Sequence, residues 1–235
     1  MCVGRCSRFV GLSLTSLAMV SITANALLLF PNWSWRYLTR GLITTQALLL
    51  PGIWGGGLMV LLAATQITAA GSKAHGLRCC GPRWNMFLSM LFSGLALLGS
   101  AISFGIASAG LVMGPYCLHY DPLSNQTQTL TWGSPFSDRE KMSLLSSAPH
   151  YLMDHRLWDS TCLEPLHIVP WNVGFFGILC LAGALQSLLS AVQIINGLFG
   201  CFCGVWDHKQ SPPQHETPPC SCDTHKRTTC LQTIP

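Results

Sequence analysis

Charge is the scarcest property of this sequence. Only 9% of its 235 residues are Asp, Glu, Lys or Arg, while 49% are apolar; a soluble domain carries about a quarter charged residues. Four long stretches hold no charge at all: Phe9 to Trp35, Gly41 to Ser72, Trp84 to Tyr120 and Pro165 to Trp206. Helices that merely line a soluble core keep a polar face, and these stretches have none. Also missing are the phosphate-loop, hydrolase and zinc-protease signatures G-x-x-x-x-G-K-[ST], G-x-S-x-G and H-E-x-x-H. No Asp, Glu, Lys, Arg or His lies in the heart of an apolar stretch. Proton relays, ion paths and intramembrane catalysis normally need such residues. The sequence therefore speaks against a pump, a coupled transporter or an intramembrane protease, and it proposes no reaction, no cofactor, no catalytic metal and no nucleic acid.

What the stretches do contain is about 20 mainly apolar residues each, enough to cross a hydrocarbon core about 30 Å thick as helix. The expected order is an inner N-terminus at 1–8, a first span at 9–30, a short outer loop at 31–46, and a second span at 47–70. An inner loop at 71–86, a third span at 87–113 and a large outer loop at 114–170 follow. A fourth span occupies 171–205, its most apolar part running from Val173 to Leu198, and a disordered tail covers 206–235. A cleaved signal peptide is the rival reading of the first stretch. Its apolar run of roughly 22 residues exceeds the 7 to 15 of a signal core, and no clear A-x-A site follows.

Basic residues set the orientation. The segments assigned to the inside carry eight basic residues against three acidic, and those outside carry five against six. By the positive-inside rule both termini face the cytoplasm. Trp33, Trp35 and Tyr37 after span one, Tyr116 after span three and Trp171 before span four sit at the outer headgroup depth, as Trp84 and Trp206 do at the inner one.

Only the large outer loop is long enough to fold by itself. It contains two cysteines, Cys117 and Cys162, which an oxidising compartment would pair; two free thiols are the alternative. Asn125-Gln126-Thr127 is a glycosylation sequon within this loop, and Asn32-Trp33-Ser34 is a second match placed less favourably beside the bilayer. Ser147 can cap a short helix on which Tyr151, Leu152, His155 and Trp158 share a face. That face either packs onto the loop's own core or offers a surface to a partner.

Six further cysteines lie where the spans meet the cytosol: Cys2, Cys6, Cys79, Cys80, Cys201 and Cys203. Reduced juxtamembrane thiols of this kind are S-palmitoylation candidates. A metal site between Cys79-Cys80 and Cys201-x-Cys203 is the alternative, without the usual C-x2-C spacing. Cys180 lies inside span four and reads as a packing residue. Inside the spans the polar groups are amides and hydroxyls: Asn25, Gln66, Gln186, Gln193 and Asn196 can bond between helices. Small residues at four-residue spacing (Gly52 and Gly56; Ala101, Gly105 and Ala109; Gly183, Ser187 and Ala191) permit close helix approach. The fold class expected is thus an all-α membrane protein, a four-transmembrane-helix bundle with one large disulfide-closed extracellular loop.

Several motifs together resemble a known family. They include the opening Met1-Cys2-Val3-Gly4-Arg5-Cys6, the exit Ala24-Asn25-Ala26-Leu27-Leu28-Leu29-Phe30-Pro31-Asn32, and Gly52-Ile53-Trp54-Gly55-Gly56-Gly57. To these add Gly114-Pro115-Tyr116-Cys117-Leu118, Val169-Pro170-Trp171-Asn172-Val173 and Gln193-Ile194-Ile195-Asn196-Gly197-Leu198. The set resembles the L-six tumour-antigen branch of the transmembrane-4 superfamily from Met1 to about Gly204. The sequence departs from that pattern in a thinner inner-loop cysteine cluster, Cys79-Cys80-Gly81, and in a longer tail. It differs from true tetraspanins, whose Cys-Cys-Gly lies in the large external loop. The resemblance implies a non-enzymatic organiser of other integral membrane proteins, such as adhesion and signalling receptors, at the plasma membrane and endosomal or lysosomal membranes. Effects on proliferation and migration follow from it, and a homo-oligomer is compatible with it. The alternative, from another functional class, is an oligomeric pore or transport-associated subunit.

Overall fold

A computed structural model describes residues 3–71, 82–120, 129–136 and 151–207. Asn125, Cys2, Cys79, Cys80, Ser147 and the tail after Asp207 lie outside the described residues. Four helical segments are long and apolar enough to cross a membrane: Ser7–Leu29, Thr45–Ala69, Phe87–Met113 and Ile168–Phe199. The first lies in α1 (Val3–Leu29). The second is built from α3 (Thr45–Leu48), α4 (Pro51–Ile53), a π-helical turn (Trp54–Met59) and α5 (Val60–Gly71). The third is α6 (Pro82–Met113), and the fourth begins α8 (Ile168–Asp207). Short elements complete the outer side: α2 (Trp35–Thr39), strands β1 (Cys117–Tyr120) and β2 (Leu130–Gly133), and α7 (Arg156–Ser160).

The second span is not the smooth helix its hydropathy suggests, and Pro51 is the reason. The proline ring crowds the residue before it out of the right-handed helical region. Leu50 accordingly adopts φ 53° and ψ 39°. The indole Nε1 of Trp54 donates to the Leu49 carbonyl at 2.8 Å, supplying a donor beside the break. Gly55, Gly56 and Gly57 follow, and a widened π turn is easily formed where no side chain resists it.

Those glycines also decide how near the helices come. A Cβ on Gly55 would sit 2.7 Å from the Gly99 carbonyl oxygen, and one on Gly99 would sit 2.7 Å from that of Gly55. Spans two and three therefore cross backbone to backbone. Spans three and four share the largest interface, where Gly110 receives the ring of Phe176 and Gly183 lies against Phe104. In lipid such packing takes the place of the hydrophobic drive between helices.

Buried amides then fix the helices to one another. Near mid-bundle the Nε2 of Gln186 donates to the Gly56 carbonyl at 2.8 Å and to Ser21 Oγ at 3.4 Å, joining spans four, two and one. One layer inward, Gln193 Nε2 donates to Ser7 Oγ and to Ser89 Oγ, each at 3.2 Å, while Ser7 Oγ donates to the Ile67 carbonyl at 3.1 Å. All four spans meet in that layer. Interhelical bonds of this kind contribute about 0.6 to 2 kcal/mol each.

Three sequence expectations fail within the spans, the first being that Asn25 makes no interhelical hydrogen bond. Gln66 is exposed on the outside of span two rather than held between helices, and Ala101 and Gly105 face outward, with open space around Gly105. Spacing alone marks a small-residue stripe without saying which way the helix turns it.

Candidate functional site: the disulfide-closed outer loop

The loop begins where α6 stops. Gly114 takes φ 74°, the left-handed conformation that ends helices, and a Cβ there would meet Phe136 at 2.8 Å. The chain then enters β1, which pairs antiparallel with β2 in the register Cys117 with Gly133, Leu118 with Trp132, His119 with Thr131, and Tyr120 with Leu130. On the other side of β1 the Leu118 amide donates to the Glu164 carbonyl and the Leu163 amide to the Leu118 carbonyl, both at 2.9 Å. The return segment before span four thus adds a short third rung.

Cys117 and Cys162 form a disulfide with Cα atoms 5.6 Å apart, closing 45 residues of sequence separation. Cys117 is fully buried, and Phe136, Tyr151, Cys162, Ile168 and Val169 surround it as a core of their own. The Phe136 and Tyr151 rings stack with centroids 4.3 Å apart. The Tyr151 hydroxyl donates to the Leu111 carbonyl in span three, so the loop core is seated on the outer end of the bundle. Burial pushes the Tyr151 phenol well above its ordinary range, which keeps it a neutral donor.

Among the described residues the short helix expected after Ser147 departs from its pattern. Residues 151–153 form a turn, and the helix is confined to Arg156–Ser160. Tyr151 is 4% exposed and Leu152 half-buried, whereas His155 is exposed and lies against half-buried Trp158 at 4.4 Å between ring centroids. The indole Nε1 of Trp158 donates to the Tyr151 carbonyl at 2.9 Å. The four residues are close in space, but Tyr151 points into the core, and Met153, 82% exposed, is the apolar side chain that faces outward beside them.

The short outer loop braces this unit. Asn32, at φ 53°, donates through Nδ2 to the Leu166 carbonyl at 3.3 Å, and the Tyr37 hydroxyl donates to Glu164 Oε1 at 3.2 Å. Partial burial and the neighbouring Glu164 charge both raise the Tyr37 phenol. Trp171 Nε1 donates to the Leu27 carbonyl at 3.1 Å, and Thr44 Oγ1 to Asn172 Oδ1 at 3.3 Å, tying the start of span four to spans one and two. Of the cysteines proposed for acylation, Cys6 falls in α1 and Cys201 and Cys203 fall in α8. Cys180, in span four, is half-buried with Ser108 Oγ 3.5 Å from its sulfur. Sequence reasoning missed the β-hairpin, although Leu130-Thr131-Trp132-Gly133 carries strand-forming residues.

Four apolar helices and a last external loop folded as its own disulfide-closed unit define a tetraspan integral membrane protein. The chain belongs to the L6 membrane protein family, whose model matches residues 1–207. It is 45% identical over 202 residues to mouse (Mus musculus) transmembrane 4 L6 family member 19, covering 86% of this chain and 93% of the relative. The human (Homo sapiens) member 19 is 42% identical over 200 residues, covering 85% and 92%. Human transmembrane 4 L6 family member 5 is 38% identical over 218 residues, covering 91% and 100%. No solved structure matches the chain significantly.

Proposed function

We propose that the chain is a non-enzymatic organiser that gathers and modulates other integral membrane proteins, adhesion and signalling receptors among them, and so influences proliferation and migration. The observation that carries this reading is the outer loop: a covalently closed unit with its own core, seated on the bundle and presenting His155, Met153 and Tyr120 outward. A surface pinned by a disulfide and a buried core incurs less ordering cost on binding, which favours recognition. Both termini lie in the cytoplasm by the excess of Lys and Arg on the inner segments. The protein works at the plasma membrane and in endosomal or lysosomal membranes. Asn125 carries a glycan, and Cys2, Cys6, Cys79, Cys80, Cys201 and Cys203 carry palmitate that holds the inner flanks to the leaflet.

Proximity labelling from a tag in the outer loop of intact cells, followed by mass spectrometry, should enrich a reproducible set of integral membrane proteins over a bilayer-anchored control. Identical profiles for the two would contradict the reading. Ion conductance from the purified protein in planar bilayers would favour the pore subunit instead.

A further inference from the structure

The mid-bundle contains polar atoms that the fold buries and does not pair. Asn25 is 0% exposed, and neither its Oδ1 nor its Nδ2 has a partner. Ser103, 1% exposed, has an unpartnered Oγ. Gln186, 0% exposed, engages Gly56 and Ser21 through Nε2 and leaves Oε1 unpartnered.

These atoms come from three spans and converge on the glycine face of the fourth partner, span two. A carbon added at Gly56 would lie 3.1 Å from Ser103 Oγ and 3.3 Å from Gln186 Oε1. One added at Gly52, a turn earlier, would lie 2.8 Å from the Asn25 Cβ. Ser103 Oγ and Gln186 Oε1 therefore meet at Gly56, and the Asn25 side chain departs about one helical turn away, beside Gly52. Hydrocarbon offers them nothing, and an unpaired polar atom at this depth costs free energy without return.

We propose that this is a site for ordered water: a small buried cluster of water molecules that bridges Asn25, Ser103 and Gln186. The chemistry of the set selects the ligand. It holds acceptors, Asn25 Oδ1 and Gln186 Oε1, beside a donor, Asn25 Nδ2, and a hydroxyl that is both. Water satisfies both kinds, whereas a cation would serve only the oxygens and would find no carboxylate to balance its charge. Gly56 contributes no side chain between Ser103 Oγ and Gln186 Oε1, and the close packing around it admits only a ligand as small as water. Water bridges here would join Asn25 of span one to Ser103 of span three and Gln186 of span four, adding to the direct bond from Gln186 to Ser21.

The test uses the full chain in lipid nanodiscs with Asn and Gln labelled in their side-chain amides. Proton-detected solid-state NMR measures magnetisation transfer from water to those amides, with the Asn25 signal identified by its loss in Asn25→Leu. Transfer to the Asn25 and Gln186 amides, as fast as to exposed loop amides such as that of Asn32, is the expected result. Absence of transfer to both overturns the proposal, and because that reading is made on the native side chains it does not depend on any variant folding. A second measurement follows thermal unfolding. Ser103→Ala and Asn25→Leu should each lower the midpoint, and the double variant should lose less than the two together, because they share bridging waters. A rise in midpoint for either single variant would mean a dry, penalised orphan and would overturn the site. Midpoints should be equal in sodium, potassium and choline chloride. A selective gain in sodium or potassium would replace water with a cation and overturn the assignment as well.

Discussion

The Tyr151 hydroxyl, carried by the outer loop, donates to the backbone carbonyl of Leu111 in the third span. A single phenol thereby couples the loop's core to the bundle that supports it. Tyr151→Phe keeps the ring stacked on Phe136 and removes only the bond, so the cost should be about 1 to 2 kcal/mol of loop docking. The pH dependence has a fixed sign. Burial raises this phenol above its ordinary 10.0 in the fold, so its contribution is complete below about pH 10 and is lost as pH rises further. Tyr37 acts in the same direction through its own raised phenol. Limited proteolysis of the loop should be steady up to about pH 10 and accelerate as pH rises beyond it in the native chain. It should accelerate less in Tyr151→Phe; equal acceleration in both would remove Tyr151 from this role.

The disulfide closes 45 residues of sequence separation, and closure of a loop that long is worth on the order of 4 kcal/mol in the chain-entropy account. Cys162→Ser should leave the four spans inserted and expose the segment between Asp138 and His155 to protease. Asn125→Gln should shift gel mobility by one glycan without that sensitivity. Wild-type protease resistance in Cys162→Ser would show that the β1 hairpin and the aromatic core hold the loop unaided.

Glycine is required at the crossing of spans two and three and dispensable on the outer face of span three. Gly99→Ala brings a methyl within 2.7 Å of the Gly55 carbonyl oxygen and should destabilise by about 1 to 3 kcal/mol. Gly105→Ala meets nothing within 4 Å and should stabilise by about 0.5 to 1 kcal/mol through helix propensity. Unfolding in mild detergent separates the two, and an equal response from both would mean that the crossing yields.

Replacing Cys2, Cys6, Cys79, Cys80, Cys201 and Cys203 with Ser should abolish acyl-exchange labelling while insertion is retained, since the spans carry the membrane affinity. Epitope tags at either end should be detected only after permeabilisation. Undiminished acylation of the six-fold variant would remove the cysteines from this role, and surface detection of either tag would reverse the orientation.

Hydropathy and charge were sufficient to reveal a four-span fold, because a bilayer selects on length and composition more than on detail. The pairing of Cys117 with Cys162 was legible for a similar reason, as those two thiols stand alone in the outer loop. Gln186 and Gln193 could be named as interhelical donors, but their acceptors could not. The Gly56 carbonyl and Ser7 become partners only through helix rotation, which a repeat of small residues leaves open. Gln66 and Gly105 show the same limit from the other side, since both face outward. Pro51 and three consecutive glycines were visible signals of an irregular second span, outweighed by the apolar run around them. In the outer loop, the 3.6-residue pattern from Tyr151 to Trp158 competes with tertiary contacts: Tyr151 is drawn to Phe136 and Leu111, and the helix starts only at Arg156.

Recognition of other membrane proteins through the closed loop is tested most directly by site-specific photocrosslinking in intact cells. A photoreactive residue replacing Met153 or His155, both on the outer surface, should yield covalent adducts with other integral membrane proteins. The same group replacing Trp158, half-buried in the loop core, should yield far fewer, and prior reduction of the disulfide should weaken the Met153 adducts. Adducts of equal yield at all three positions, or none at Met153 and His155, would contradict the account.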